Sequence, residues 1–224
     1  MALTDGLVAY YKLDESSGNA TDSVGGFNMT NTNTCTFSAK INNGANTHPT
    51  GNKYFTVASD LLNGSSQNWT VSLWIYPNGN ISTQSVFVNW VDYGYRVYNY
   101  IERYSSACRL VRVRGGIAAD VCSKSQSFND ATWYHICRYN GTTLDLKVNN
   151  TSTTLGSSGN GSGSYWDETT IGALTSGGTT NFKLSDEVFR NRNITDDEVT
   201  SLYNGGTGVQ YPFTTANSNF LFFM

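Results

Sequence analysis

Between residues 182 and 206 the chain reads FKLSDEVFRNRNITDDEVTSLYNGG, and its two periodicities narrow the choice of fold more than any other stretch. The first half alternates. Phe182, Leu184 and Val188 fall on one side of an extended strand, with Lys183, Ser185 and Glu187 on the other. Asp186 lands on the apolar side of that alternation, where a carboxylate requires hydrogen-bond donors, a cation, or a local bulge that turns it outward. The second half is helical. Thr195-Asp196-Asp197-Glu198 has the form of a capping box, in which the Thr hydroxyl accepts an early backbone N–H and Glu198 reaches back. Val199, Leu202 and Tyr203 then form one apolar stripe, and Gly205 supplies a left-handed stop. A strand followed by one short amphipathic helix closes the end of a sheet.

The rest of the chain supplies the other strands. Residues 6–14 alternate Leu7, Ala9, Tyr11 and Leu13 against Val8, Tyr10 and Lys12. Residues 69–77 set Val71, Leu73 and Ile75 against Ser72, Trp74 and Tyr76. An Asn140-Gly141 pair between two alternating runs predicts a hairpin, and Gly115-Gly116 marks another. The composition agrees: 13% aromatic, 14% charged and 22 Gly suit short strands joined by many turns. The net charge of −3 provides no basic field for nucleic acid. No run is long or apolar enough to span a bilayer. The sequence thus reads as an all-β sandwich of one domain, with a single late helix.

Four cysteines, Cys35, Cys108, Cys122 and Cys137, lack a Cys-x-x-Cys pair and have only His48 and His135 beside them, which disfavours zinc. Cys108 and Cys122 flank the hairpin that turns at Gly115-Gly116, so a disulfide between them and two separate thiols both remain open. The candidate ligand surface is the aromatic stretch around residues 90–104. Trp90, Tyr93, Tyr95, Tyr98 and Tyr100, interleaved with Arg96 and Asn99, suit a sugar: rings stack on pyranose C–H groups while Asn and Arg bond hydroxyls. Strand alternation also sends half of such rings into a core.

Four stretches, GLVAYYKLDESSGNATDSVGG (6–26), WTVSLWIYP (69–77), WYHICRYNGTTLDLKVNN (133–150) and TTIGALTSGG with SDEVFRNRNITDDEVTSLYNGG (169–206), occur in the order seen in laminin-G-like modules. The chain resembles the bacterial and phage members of that group, within the concanavalin A-like lectin/glucanase superfamily. The resemblance implies a jelly roll of two curved antiparallel sheets over residues 1–206, with the first and last strands adjacent. Residues 207–224 lie outside it. It also implies a structural Ca2+ ion where the first long loop meets the closing strand, at the positions of Asp22 and Asp186. The alternative is that Asp22 makes an Asx-turn and Asp186 accepts backbone N–H bonds.

The Glu-x-Asp-x-x-Glu run carried by glucanases of the superfamily is absent, and the acidic pairs present are adjacent residues or lie at a helix start. The expectation is therefore a non-catalytic recognition module for a glycan or cell-surface polysaccharide, with a glycoside hydrolase the least favoured reading. MALTDGLVAYYKLDE lacks the basic start and apolar core of a secretory signal, so either the protein reaches the outside on a virion surface or a signal lies outside this sequence. The apolar end, Phe220, Leu221, Phe222 and Phe223, suggests an anchor to neighbouring protein subunits, as a decoration or fibre protein needs, or docking on its own sandwich. A purely architectural subunit that cements a capsid, fibre or filament is the competing class.

Overall fold

The computed structural model describes residues 2–38, 44–47, 53–59, 61–62, 68–77, 84–92, 97–104, 107–114, 117–129, 131–140, 144–152, 168–172 and 182–213. Its strands are β1 (Leu7–Tyr11), β2 (Thr30–Thr32), β3 (Thr36–Ser38), β4 (Gly44–Thr47), β5 (Tyr54–Val57), β6 (Trp69–Pro77), β7 (Gln84–Asp92) and β8 (Val97–Tyr104). They continue with β9 (Ala107–Arg114), β10 (Ile117–Ser125), β11 (Tyr134–Asn140), β12 (Leu144–Val148), β13 (Thr151–Ser152), β14 (Glu168–Ile171) and β15 (Phe182–Arg190), before α1 (Asp196–Tyr203).

These strands form two antiparallel sheets. One is ordered β13-β12-β11-β6-β15-β4-β3, with β1 also paired to β15; the other is ordered β10-β9-β8-β7-β14-β5-β2. The opening and closing strands are therefore neighbours, as the resemblance implied: Tyr10 lies opposite Val188 and Tyr11 opposite Glu187. Both expected hairpins form, β9 with β10 and β11 with β12. The main core lies between the sheets, where Ala9, Tyr11, Val71, Leu73, Ile75 and Phe189 meet Phe55, Ile101 and Ile171. Burial of these side chains is the dominant favourable term.

A smaller second cluster lies on the other side of the eight-stranded sheet. There α1 lays Val199 and Leu202 beside Ile194 and Cys137, with Leu3, Val209 and Phe213 packed around them. The helix starts as expected: Thr195 accepts the Glu198 N–H, and the Glu198 carboxylate accepts the Thr195 N–H at 2.8 Å. It ends one residue earlier than Gly205, because Asn204 itself takes the left-handed conformation (φ 45°). Tyr203 stacks on Trp74, the ring centroids 5.9 Å apart and the planes at 14°. This cover explains why the outward side of β6, Ser72 and Trp74, is as buried as its core side.

The closing strand departs from simple alternation. Ser185 pairs with Trp74 and Val188 with Ser72, so two residues, Asp186 and Glu187, face the single intervening residue Leu73. Asp186 has a φ of 53°. This is a β-bulge, and it inverts the expected order beyond Ser185. Asp186 turns to the outer face and Glu187 turns inward beside Tyr11. Val188 moves outside, and Phe189 takes the core place that simple alternation gave to Val188.

Candidate functional site

The sugar-binding set is divided by strand register. Trp90 lies opposite Asn99, and Asn99 opposite Arg112, so the three stand in one cross-strand row that continues to the buried Thr169. Two positions along β8, Ile101 belongs to the core, and the Trp90–Asn99 row is in phase with it along the strand. Tyr98 and Tyr100 occupy the alternate rows, opposite Val91 and Asn89 on β7 and Val113 and Val111 on β9. Tyr98 and Tyr100 thus hold register positions that alternate with that of Ile101, and Trp90 and Asn99 do not share those rows. Tyr93, Tyr95 and Arg96 lie outside the described residues, as do Phe220, Leu221, Phe222 and Phe223.

No disulfide joins Cys108 to Cys122. Cys108 carries a buried thiol outside any disulfide. Register gives the reason, since Cys108 faces Lys124 while Cys122 faces Leu110. The two are diagonal neighbours across the hairpin, a separation of about 7–8 Å that exceeds what a disulfide bridges. Burial pushes the thiols of Cys35 and Cys137 up to about 12, so they stay protonated.

Asp22 and Asp186 do not form one metal site. Asp22 organises its own loop, its carboxylate accepting the backbone N–H groups of Tyr10 (2.9 Å), Val24 (2.9 Å), Gly25 (2.8 Å) and Phe27 (3.0 Å). The bond to Val24 closes an Asx-turn, the alternative that the sequence left open. Gly25 is required here, because a Cβ would come within 2.4 Å of the Val8 carbonyl oxygen. Asp186 instead accepts the hydroxyls of Tyr10 and Ser185. The two carboxylates thus hold opposite ends of Tyr10, its backbone N–H and its phenol. Four N–H donors around Asp22 present positive charge where Ca2+ needs oxygen ligands, so these residues do not fit the ion. Among the described residues no group of three His, Cys, Asp or Glu side chains could hold a metal.

The bulge instead gathers a polar and aromatic cluster on the outer face of the eight-stranded sheet. Burial raises the Asp186 carboxyl to about 6, although bonds from Ser185, Tyr10 and Gln210 pull the other way. Burial, then the Asp186 charge, holds the Tyr10 phenol well above its ordinary range. Tyr211 and Phe213 pack on the Tyr10 ring at 5.6 and 5.5 Å, the second edge-on. Arg190, fully buried on the same face, lies 5.5 Å from the Phe213 ring centre, and burial lowers its pKa to about 10. Nearby, Arg192 grips Glu198 at 2.5 and 3.0 Å. Burial pushes the Glu198 carboxyl up, but bonds from Arg192 and Thr195 outweigh it and the net shift is downward. Ser72 and His135 also meet at 2.7 Å, but both are 1% exposed and Tyr203 packs against the imidazole, which makes this a packing hydrogen bond.

On the inner side, Glu187 is completely enclosed, and neither carboxylate oxygen has a hydrogen-bond partner among the described residues. Burial alone holds its carboxyl well above the usual range. Sequence reasoning missed Tyr10, Glu187, Arg190, Tyr211 and Phe213. The available signal was the amphipathic helix: its apolar stripe has to cover the outward residues of the closing strand, so Arg190 could not have been a solvated residue.

Two sheets of this order, with the terminal strands paired and a capped helix on one outer face, define a lectin-type jelly roll. The family model described as the concanavalin A-like lectin/glucanases superfamily, of laminin-G type, matches residues 49–200, and the chain belongs to that family. Solved structures of similar shape include a botulinum neurotoxin type G receptor binding domain (TM-score 0.68, 13% identity, 89% of this chain and 51% of that one). A binding domain of botulinum neurotoxin DC in complex with SialylT is similar at TM-score 0.72 and 11% identity, over 91% of this chain and 52% of that one. A third comes from a study of botulinum neurotoxin type C whose cell entry depends on interaction with two ganglioside molecules (TM-score 0.73, 10% identity, 92% and 52%). The chain spans about half the length of each. No curated protein matches it in sequence.

Proposed function

We propose that the protein is a non-catalytic carbohydrate-recognition module, displayed on an extracellular or virion surface, that binds glycan through Tyr98 and Tyr100 of β8. The observation that carries the reading is the register that sets Tyr98 and Tyr100 in alternate rows from the core residue Ile101, beside Asn89. Aromatic faces and an amide are the groups a pyranose needs. The ganglioside and SialylT partners of the similar toxin domains support the ligand class, by analogy of fold. Hydrolysis is disfavoured because four of the buried carboxylates among the described residues are committed elsewhere: Asp22 to its loop, Asp186 to Tyr10, Glu198 to Arg192, with Glu187 sealed in the core.

A glycan array followed by calorimetry on the best ligand tests this. Tyr98→Ala and Tyr100→Ala are expected to weaken binding by at least tenfold, about 1.4 kcal/mol. Trp90→Ala, at a register position in phase with the core residue Ile101, is expected to act through stability instead. An array without any ligand favours the architectural class, and release of reducing ends from a bound glycan overturns the non-catalytic reading.

A further inference from the structure

The outer face of the eight-stranded sheet holds a charge that the described residues leave unneutralised. Arg190 is completely buried, and its Nη2 donates to the Leu3 carbonyl at 2.8 Å. Its Nε and Nη1 have no hydrogen-bond partner among the described residues. Glu198 is the carboxylate whose field favours the cation, but it is already committed to Arg192 and to the Thr195 N–H. Two arginines therefore share one acid, and Arg192 holds it. A buried cation without an anion is among the least favourable arrangements a fold tolerates, whereas a charge-assisted bond to an incoming carboxylate is strong.

What covers Arg190 is an aromatic strap. Phe213 sits over the guanidinium and edge-on to Tyr10, and Tyr211 packs on the same Tyr10 ring. The strap leaves α1 through Asn204, Gly205, Gly206 and Gly208, all at positive φ, a run of backbone well suited to a hinge. Phe213 is itself only partly buried. Beneath it lie the ring of Tyr10, fixed at its hydroxyl by Asp186, and the spare donors of Arg190. An aromatic ring beside a guanidinium complements a sugar ring that carries a carboxylate.

We propose that Arg190 is the carboxylate-binding residue of a second carbohydrate subsite, selective for an acidic pyranose of the hexuronate type, with Phe213 as its displaceable cover. The class of ligand rests on the glycan-binding reading above, but the site is on the opposite sheet. Calorimetry at constant ionic strength with glucuronate, glucose and inorganic sulfate, on the wild type, Phe213→Ala and Phe213→Ala/Arg190→Met, tests it. Phe213→Ala is expected to bind glucuronate at least tenfold more tightly than the wild type does, and at least tenfold more tightly than it binds glucose or sulfate. Adding Arg190→Met is expected to abolish that preference. If the double variant does not fold, the three probes on Phe213→Ala decide alone. No saturable binding of glucuronate, or equal binding of glucose or sulfate, overturns the proposal. The array ligand read with Tyr98→Ala and the glucuronate preference read with Phe213→Ala/Arg190→Met are separate measurements, so a failure on β8 and a failure at Arg190 are distinguished.

Discussion

Replacing Glu187 by Met is expected to stabilise the protein at neutral pH, against the usual direction of core substitutions. Glu187 is 0% exposed with both carboxylate oxygens unpaired among the described residues, and it faces Tyr11, whose own hydroxyl donates to the Phe27 carbonyl. Leaving a buried polar group unsatisfied costs about 1–3 kcal/mol, and a near-isosteric apolar side chain removes that cost while keeping the volume. For a chain of this length about 1 kcal/mol moves Tm by about 2–4 °C, so the expected rise is about 2–12 °C. The pH dependence separates this from simple repacking. Because the native carboxyl holds its proton more tightly than the ordinary value of 4.5, its contribution is fully present below that value and is lost as pH rises towards the native pKa. The advantage of Glu187→Met therefore grows with pH above about 4.5, the ordinary carboxyl value. Glu187→Gln, neutral at every pH but still unsatisfied, is expected to remove the pH slope while gaining less at low pH. Thermal unfolding followed by circular dichroism from pH 4 to 8 reads all three proteins. A Met variant less stable than the wild type at pH 7, or one whose advantage does not change with pH, refutes the reasoning.

Asp186 gives a second, narrower window. Its carboxyl is raised from 3.8 to about 6, so its contribution is present below about pH 4 and is lost by about pH 6, a change of about 3 kcal/mol. Asp186→Asn is expected to remove that part of the Tm–pH curve, and an unchanged fall between pH 4 and 6 contradicts the assignment. Asp22→Ala strips the acceptor from four backbone N–H groups and is expected to cost about 3–5 kcal/mol in urea unfolding; a loss below about 1 kcal/mol means the loop does not depend on it. EDTA, by contrast, is expected to leave the wild-type Tm unchanged, and a drop reinstates calcium at Asp22.

How far the sequence could be read depended on whether each feature was local. The capping box at Thr195 and Glu198 was legible because its partners lie three residues apart, and the pairing of β1 with β15 followed from a resemblance covering both ends. The Cys108–Cys122 pairing stayed open because a hairpin's turn does not fix which rows its cysteines occupy until the strands are registered. The closing strand shows the limit most clearly. Counting by twos carried Phe182 and Leu184 correctly into the core, then failed at a single residue with φ 53°. Asp tolerates that conformation better than most side chains, so no glycine announced the bulge. Yet the carboxylate itself did, since an acid on the apolar side needed donors, a cation or a turn outward, and it received the donors and the turn together. The consequence reaches further than Asp186. One extra residue places Glu187 in the core and Arg190 on the outer face, beneath Phe213, the first without a donor and the second without an acid of its own among the described residues. These two uncompensated groups lie three residues apart on one strand but on opposite faces of the sheet, so neither can neutralise the other. Removing the bulge by deleting one residue would restore simple alternation only by taking from Tyr10 the carboxylate that holds its hydroxyl, and the bulge is therefore retained by the bond it makes rather than by the charges it strands.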